Sequence, residues 1–165
     1  MIFKNLNKNF YINLVIVIII FFLDRASKLY VMYLDKTEYT SKLFSSKFLN
    51  INLIWNEGIA FGLFSFDENN LYNFLTLFIT AVIFVILVMI FKNNGLKKYL
   101  FLIIFGGALG NLYDRIVYKA VPDFLDFHIG EFHWFIFNVA DIFITIGLIF
   151  MILIELTSVK YKNYE

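Results

Sequence analysis

The 165-residue chain contains no cysteine. Disulfides, thiol catalysis and thiolate metal sites are thereby excluded, and the redox compartment is left open. Charge is scarce as well: 16% of residues are charged, against about 25% in soluble domains. The formal net charge is +1 and the pI is near 7.8, a balance that offers nothing to a polyanion, so no nucleic-acid partner is expected. No glycine-rich phosphate loop, internal repeat or low-complexity linker is present, and proline occurs once, at Pro122. What fills the chain is apolar: 61% of residues are hydrophobic, against about 45–50% in soluble domains. A soluble core of this size cannot absorb that surplus, so the chain reads as an integral membrane protein.

Four apolar segments are each long enough to cross a hydrocarbon core, which takes about 20 helical residues. They cover about residues 11–34, 72–91, 99–118 and 134–156. Asp24, Arg25 and Lys28 interrupt the first, and the second carries no charge. The third holds Gly106, Gly107, Gly110, Asn111, Asp114 and Arg115 in its later half. The fourth carries Asn138 and Asp141 in its first turns. Lys4 and Lys8 precede the first span, Lys92, Lys97 and Lys98 sit in the second connection, and Lys160 and Lys162 close the chain. Positive residues favour the cytoplasmic side, which puts both termini and the second connection inside and the other two connections outside. The first span resembles a signal peptide at its start but has no small-x-small cleavage pattern before Leu29–Leu34, so it is expected to be retained.

The first outward connection, about residues 35–71, is too long for a turn. In it Asn50-Ile51-Asn52-Leu53 alternates polar and apolar, and Asn56-Glu57-Gly58 is a turn signal. The expected architecture is a single membrane-embedded domain over residues 1–165. It is all-α, with four transmembrane helices and a small extracytoplasmic β element between helices 1 and 2.

Depth arithmetic then brings the polar residues together. At 1.5 Å per residue, Asp24 lies about 20 Å above the inner end of the first span, and Asn111 and Asp114 lie about 18 to 23 Å up the third. The fourth span descends from outside, which puts Asp141 about 10 Å below the outer surface. Three helices thus place carboxylates or amides at one level near the outer face. Asp24 and Lys28, four apart, share a face and read most plainly as a structural pair. Asn111 with Asp114, and Asn138 with Asp141, are each three apart on one face. Gly106 and Gly110 form a small-xxx-small pattern that lets a helix approach, common enough in membranes to say little about function. Arg115 is expected to neutralise a neighbouring carboxylate or to meet lipid headgroups.

Intramembrane carboxylates are costly and invite a functional reading. Two in a low-dielectric site tend to share one proton, so that one acts as general base toward water while the other polarises a carbonyl. Asp141 supplies one; Asp123, on the loop feeding the fourth span, or its competitor Asp126 supplies the other. Ser27 and Lys28 are adjacent and about 100° apart around a helix, a poor serine–lysine dyad. His128 and His133 match no tight metal-ligand spacing, and His133 beside Trp134 reads as an interfacial residue. No metal and no cofactor is expected. A small transporter or proton-relay protein is the alternative reading, since buried Asp and Asn also mark ion paths.

Five stretches carry a resemblance: Asp24-Arg25-Ala26-Ser27-Lys28, Asn56 to Gly62 (NEGIAFG), Gly106 to Arg115 (GGALGNLYDR), Val121-Pro122-Asp123-Phe124 and Phe137-Asn138-Val139-Ala140-Asp141. In this order on four spans, they resemble lipoprotein signal peptidase, the bacterial signal peptidase II, over essentially the whole chain. The resemblance implies an aspartic peptidase of the bacterial inner membrane. Such an enzyme removes the signal peptide of lipid-modified prolipoproteins just before the lipidated cysteine. It maps the catalytic pair onto Asp123 and Asp141 and a structural polar pair onto Asp24 and Lys28. Asn56, Gly58, Asn111, Arg115, Asn138 and Ala140 correspond to positions lining the site. Lipid-modified prolipoproteins, membrane lipid and globomycin-type inhibitors are the implied partners. Pro122 departs from the family's aliphatic residue before the first aspartate; proline removes a backbone donor there, and tuning rather than inactivation is expected.

Overall fold

The computed structural model describes residues 8–38, 43–58 and 69–162. In chain order its elements are α1 (Lys8–Glu38), β1 (Phe44–Ser45), β2 (Leu49–Asn56), α2 (Asn69–Lys92), α3 (Gly95–Tyr118), β3 (Val121–Ile129), β4 (Phe132–Phe137) and α4 (Val139–Lys162). The apolar run 59–64 after the Asn56-Glu57-Gly58 turn lies outside the described residues. Among the described residues, three helices are long and apolar enough to cross a membrane: Tyr72–Lys92, Gly95–Tyr118 and Val139–Thr157. In α2 the threonine hydroxyls are spent internally, because those of Thr76 and Thr80 donate to the carbonyls of Tyr72 (3.0 Å) and Thr76 (2.8 Å). A helix whose own carbonyls satisfy its hydroxyls can sit against hydrocarbon without an unpaired donor.

Helix α3 is central and packs on α1, α2 and α4. Glycines set those distances. A Cβ on Gly106 would lie 3.0 Å from the Ile20 side chain of α1, and one on Gly110 would meet the Asp24 carboxylate. Gly107 faces α4, where a Cβ would stand 2.6 Å from the Ala140 carbonyl oxygen.

Between α1 and α3 lies an ion cluster closed to solvent. The Lys28 ammonium donates to Asp24 (2.9 Å), Asn111 Oδ1 (2.7 Å) and Asp114 (2.7 Å), which uses all its hydrogens. Arg25 bonds Asp114 (2.6 Å) and Asp24 (3.1 Å) and lies over the Tyr113 ring, 5.0 Å from its centroid. The second Asp24 oxygen accepts the Ala140 N–H of α4 at 3.1 Å. Asp24, Lys28 and Asp114 have no exposed surface. The coincidence of depth expected for three helices is realised as direct hydrogen bonds, and the Asp24–Lys28 pair is one edge of a larger cluster.

The strands form one antiparallel sheet in the order β1-β2-β3-β4. This corrects the expected all-α class with its β element confined between the first two helices. Half the sheet comes from the connection between α3 and α4, which the sequence presents only as a loop feeding the fourth span. The apolar run assigned from residue 134 to the fourth helix is strand as far as Phe137, and α4 starts at Val139. The cause lies in burial. Val121 to Phe124 are all buried, so β3 lacks alternation, and the aromatic β4 merges in sequence with the helix behind it. Gly130, at φ 60°, opens the two-residue turn joining Ile129 to Phe132, as a tight hairpin requires. Pro122 is buried and pairs with Trp55 of β2. The β4 pairing begins only at Leu125, so Pro122 has a strand on one flank, where a missing N–H is tolerated.

These contacts fix two expectations for stability. Gly107→Ala, which sets a methyl against the Ala140 carbonyl, is expected to cost about 1–3 kcal/mol, read as a lowered thermal midpoint in detergent. Lys28→Met leaves two buried carboxylates to one arginine and is expected to cost about 3–5 kcal/mol. The check is the midpoint together with the yield of folded protein.

Candidate active site

Asp123 and Asp141 reach one cavity from different kinds of element. Asp123 is in β3, 4% exposed, and each carboxylate oxygen takes one amide. Asn56 Nδ2 of β2 donates to Oδ2 at 2.9 Å, and Asn138 Nδ2 donates to Oδ1 at 2.6 Å. The sheet register explains the first contact, since Ile54 lies opposite Asp123 and Asn56 opposite Val121. Burial, and next the charge of Asp141, push the Asp123 carboxyl up to about 6 against the pull of the two amides.

Asp141 is held by the start of α4. Asn138 precedes the helix, and its Oδ1 accepts the Asp141 backbone N–H at 3.2 Å while Asp141 Oδ2 accepts the Asn138 N–H at 3.1 Å. That reciprocal pair is a capping box, here built from Asn and Asp. The other oxygen, Oδ1, accepts Asn111 Nδ2 of α3 at 2.8 Å. Asn138 therefore serves both carboxylates: its side-chain amide fixes Asp123, and its backbone fixes Asp141. The two were expected to share a helical face; instead Asn138 is the residue that starts the helix.

The cavity over this pair measures about 220 Å³. Its polar lining is Asn56, Asn111, Arg115, Asp123, Asn138 and Asp141, and Ile79, Val121 and Ile144 supply apolar wall. Five of the six positions expected to line the site thus meet here or beside it. Gly58 is buried next to them, giving its N–H to Asn56 Oδ1 at 3.0 Å. Ala140 does not line the cavity; it is pressed between Gly107 and Asp24. Arg115 corrects its expectation too. Among the described residues it makes no ion pair with the adjacent Asp114 but donates to the Gly58 carbonyl at 3.1 Å and the Asn111 carbonyl at 3.4 Å. It ties the turn that follows β2 to α3.

Asp126 is separated from this pair by its own partners. It binds His133 Nδ1 at 2.9 Å and Asn50 Nδ2 at 3.2 Å within the sheet. Burial raises its carboxyl, but these two bonds outweigh burial and hold it below the usual range. His128 stacks on His133, ring centroids 4.9 Å apart. Two participants have little presence in the sequence. Arg25 reads there as an interruption of a span, though its place beside Asp24 is an available signal. Tyr72, whose hydroxyl donates to the Arg115 carbonyl at 3.3 Å, leaves no signal at all.

Residues 16–157 match the family model for signal peptidase (SPase) II. A lipoprotein signal peptidase of Pelagibacter ubique is 54% identical over 158 residues, spanning 96% of this chain and 95% of the relative. One from Anaplasma phagocytophilum is 40% identical, spanning 92% and 96%. A bacterial membrane enzyme solved by the in meso method superimposes with a TM-score of 0.76 at 28% identity, covering 91% of this chain and 90% of that one. With three helices apolar enough to span, the protein is a multi-pass membrane protein. By the extent of these matches, the chain belongs to the signal peptidase II family of peptidases.

Proposed function

We propose that this chain is an aspartic endopeptidase that cuts diacylglyceryl-modified prolipoproteins just before the lipidated cysteine. The observation that carries the reading is the pair Asp123 and Asp141, joined through Asn138 at one cavity. We take Asp141 as the carboxylate, because it sits at the positive N-terminal end of α4 and accepts the Asn138 N–H there. Asp123 is the acid, its carboxyl raised to about 6 by burial and the neighbouring charge. Asp141 takes a proton from a water whose oxygen bonds to the scissile carbonyl carbon. Asp123 gives its proton to the carbonyl oxygen, forming a geminal diol. In collapse, Asp141 passes its proton to the leaving nitrogen as the C–N bond breaks, and Asp123 recovers the proton from the diol.

A lipidated substrate reaches such a site from within the membrane. We place four helices across the bilayer, α1 included. Its 31 residues measure about 46 Å at 1.5 Å per residue, and its outer face exposes Phe10, Leu14, Ile18 and Phe22. The charges inside that span, Asp24, Arg25 and Lys28, are turned onto α3. Lys8, Lys92 and Lys98 then mark the cytoplasmic end of a bacterial inner membrane, with both termini inside. The sheet and the catalytic pair lie at the outer face, where globomycin-type peptides would compete with substrate.

Asp123→Asn and Asp141→Asn are each expected to insert normally and to lose about 10²–10⁴-fold in cleavage of a diacylated precursor; near-normal turnover by either removes that residue from the mechanism. A second test concerns pH. The raised Asp123 carboxyl binds its proton more tightly folded than unfolded. The stability it contributes is therefore complete below about pH 4 and lost as pH rises through about 6, a change of about 2–3 kcal/mol. Asp123→Asn removes that dependence. Thermal midpoints in detergent should thus shift in the variant's favour, relative to the parent, between pH 4 and pH 7.

A further inference from the structure

Two-aspartate chemistry gives Lys28 no task, and charge balance alone does not account for all its bonds. Arg25 already contacts both Asp24 and Asp114, and the third hydrogen of the Lys28 ammonium leaves the ion cluster for the Asn111 amide. We infer that Lys28 is a positioning residue for the peptidase reaction: it fixes which end of the Asn111 amide faces Asp141. The inference rests on the two-aspartate reading above and assigns the control of that same site.

A primary amide has two ends of nearly equal size and opposite hydrogen-bonding character. Asn111 stands between the Lys28 ammonium and the Asp141 carboxylate, with Oδ1 2.7 Å from Nζ and Nδ2 2.8 Å from Asp141 Oδ1. An ammonium only donates and a carboxylate only accepts, so one orientation satisfies both contacts. The reversed amide would set two donors face to face on one side and two acceptors on the other, losing two charge-assisted bonds at once. The ammonium cannot swing away, because Asp24 and Asp114 hold its remaining hydrogens and no part of it is exposed. Without Lys28, only the charge on Asp141 orients the amide, and once Asp141 takes up a proton in the reaction either end of Asn111 could face it. Asp141 would then lose a fixed donor on the oxygen that stays out of the capping box. Lys28 therefore acts on catalysis through Asn111 without touching substrate.

The test compares two variants of equal charge. Lys28→Met/Asp114→Leu and Lys28→Gln/Asp114→Leu each remove one cation and one carboxylate, leaving Asp24 paired with Arg25. Replacing a buried ion pair by apolar groups of similar volume is often neutral for stability. The amide introduced by Lys28→Gln can still donate to Asn111 Oδ1, whereas the thioether introduced by Lys28→Met cannot. Cleavage of a diacylated precursor peptide in detergent micelles is expected to fall about tenfold or more in kcat for the Met form, with KM unchanged and the acidic limb of the pH profile displaced. The Gln form should stay within about threefold of the parent. Equal kcat in the two forms overturns the inference. Asn111→Asp supplies a second measurement: it still accepts from Lys28 but offers Asp141 no donor. It should accumulate like the parent and lose turnover about tenfold or more, whereas parental turnover overturns the inference. Asp123→Asn and Asp141→Asn, assayed alongside, separate the two readings. If they cleave, the two-aspartate reading fails; if they do not and the Met and Gln forms are equal, only the role of Lys28 fails.

Discussion

The Lys28 ammonium has no exposed surface and gives its hydrogens to one carboxylate of its own helix, one of α3 and the amide of Asn111. An ion taken out of water costs several kcal/mol unless it is fully bonded, so this point admits little play between α1 and α3. Asp24 extends the constraint to α4 by accepting the Ala140 N–H one position before Asp141. The glycines of α3 are the steric counterpart: Gly106 and Gly110 admit α1, and Gly107 admits the start of α4. Three helices are thus locked in register at the level of Asp141.

The sheet completes what the helices alone cannot. Asp123 stands on a strand whose backbone is held by β2, and β2 also brings Asn56 to it. The hairpin β3–β4 then returns the chain to Asn138, where the same residue ends the sheet, caps α4 and touches both carboxylates. The pairing of Asp123 with Asp141 therefore depends on where one strand stops and one helix starts. A residue inserted between Phe137 and Asn138 would rotate the cap away from Asp123 while leaving each element intact.

Much of this is legible in the sequence, and the exceptions have particular causes. The meeting of Asp24, Asn111, Asp114 and Asp141 follows from the rise of a helix and from the cost of carboxylates in hydrocarbon, which leaves few places for them to go. The strands between α3 and α4 are hidden because Val121 to Phe124 are all buried, which erases the period of two. Assigning residues 134–137 to the helix then obscures Asn138 as a cap, although an Asn followed three residues later by an acid is a readable signal. Arg115 is misleading when judged from its neighbour. Adjacent helical residues point about 100° apart, so it faces Gly58 and the cavity while Asp114 faces Lys28.

The donors around the two carboxylates are all neutral: three side-chain amides and one backbone N–H. Both nearby cations are kept one residue removed, Lys28 behind Asn111 and Arg115 turned onto carbonyl oxygens. That choice has chemical content. A cation in direct contact lowers a carboxyl pKa by about 1–3 units, which would deprive an acid–base pair of any proton to exchange near neutrality. Amides orient the carboxylates without settling their charge, and they leave burial and mutual repulsion to raise Asp123 toward about 6. Lys28 still fixes the Asn111 amide, so the site gains rigidity from charge while Asp123 and Asp141 keep only neutral donors.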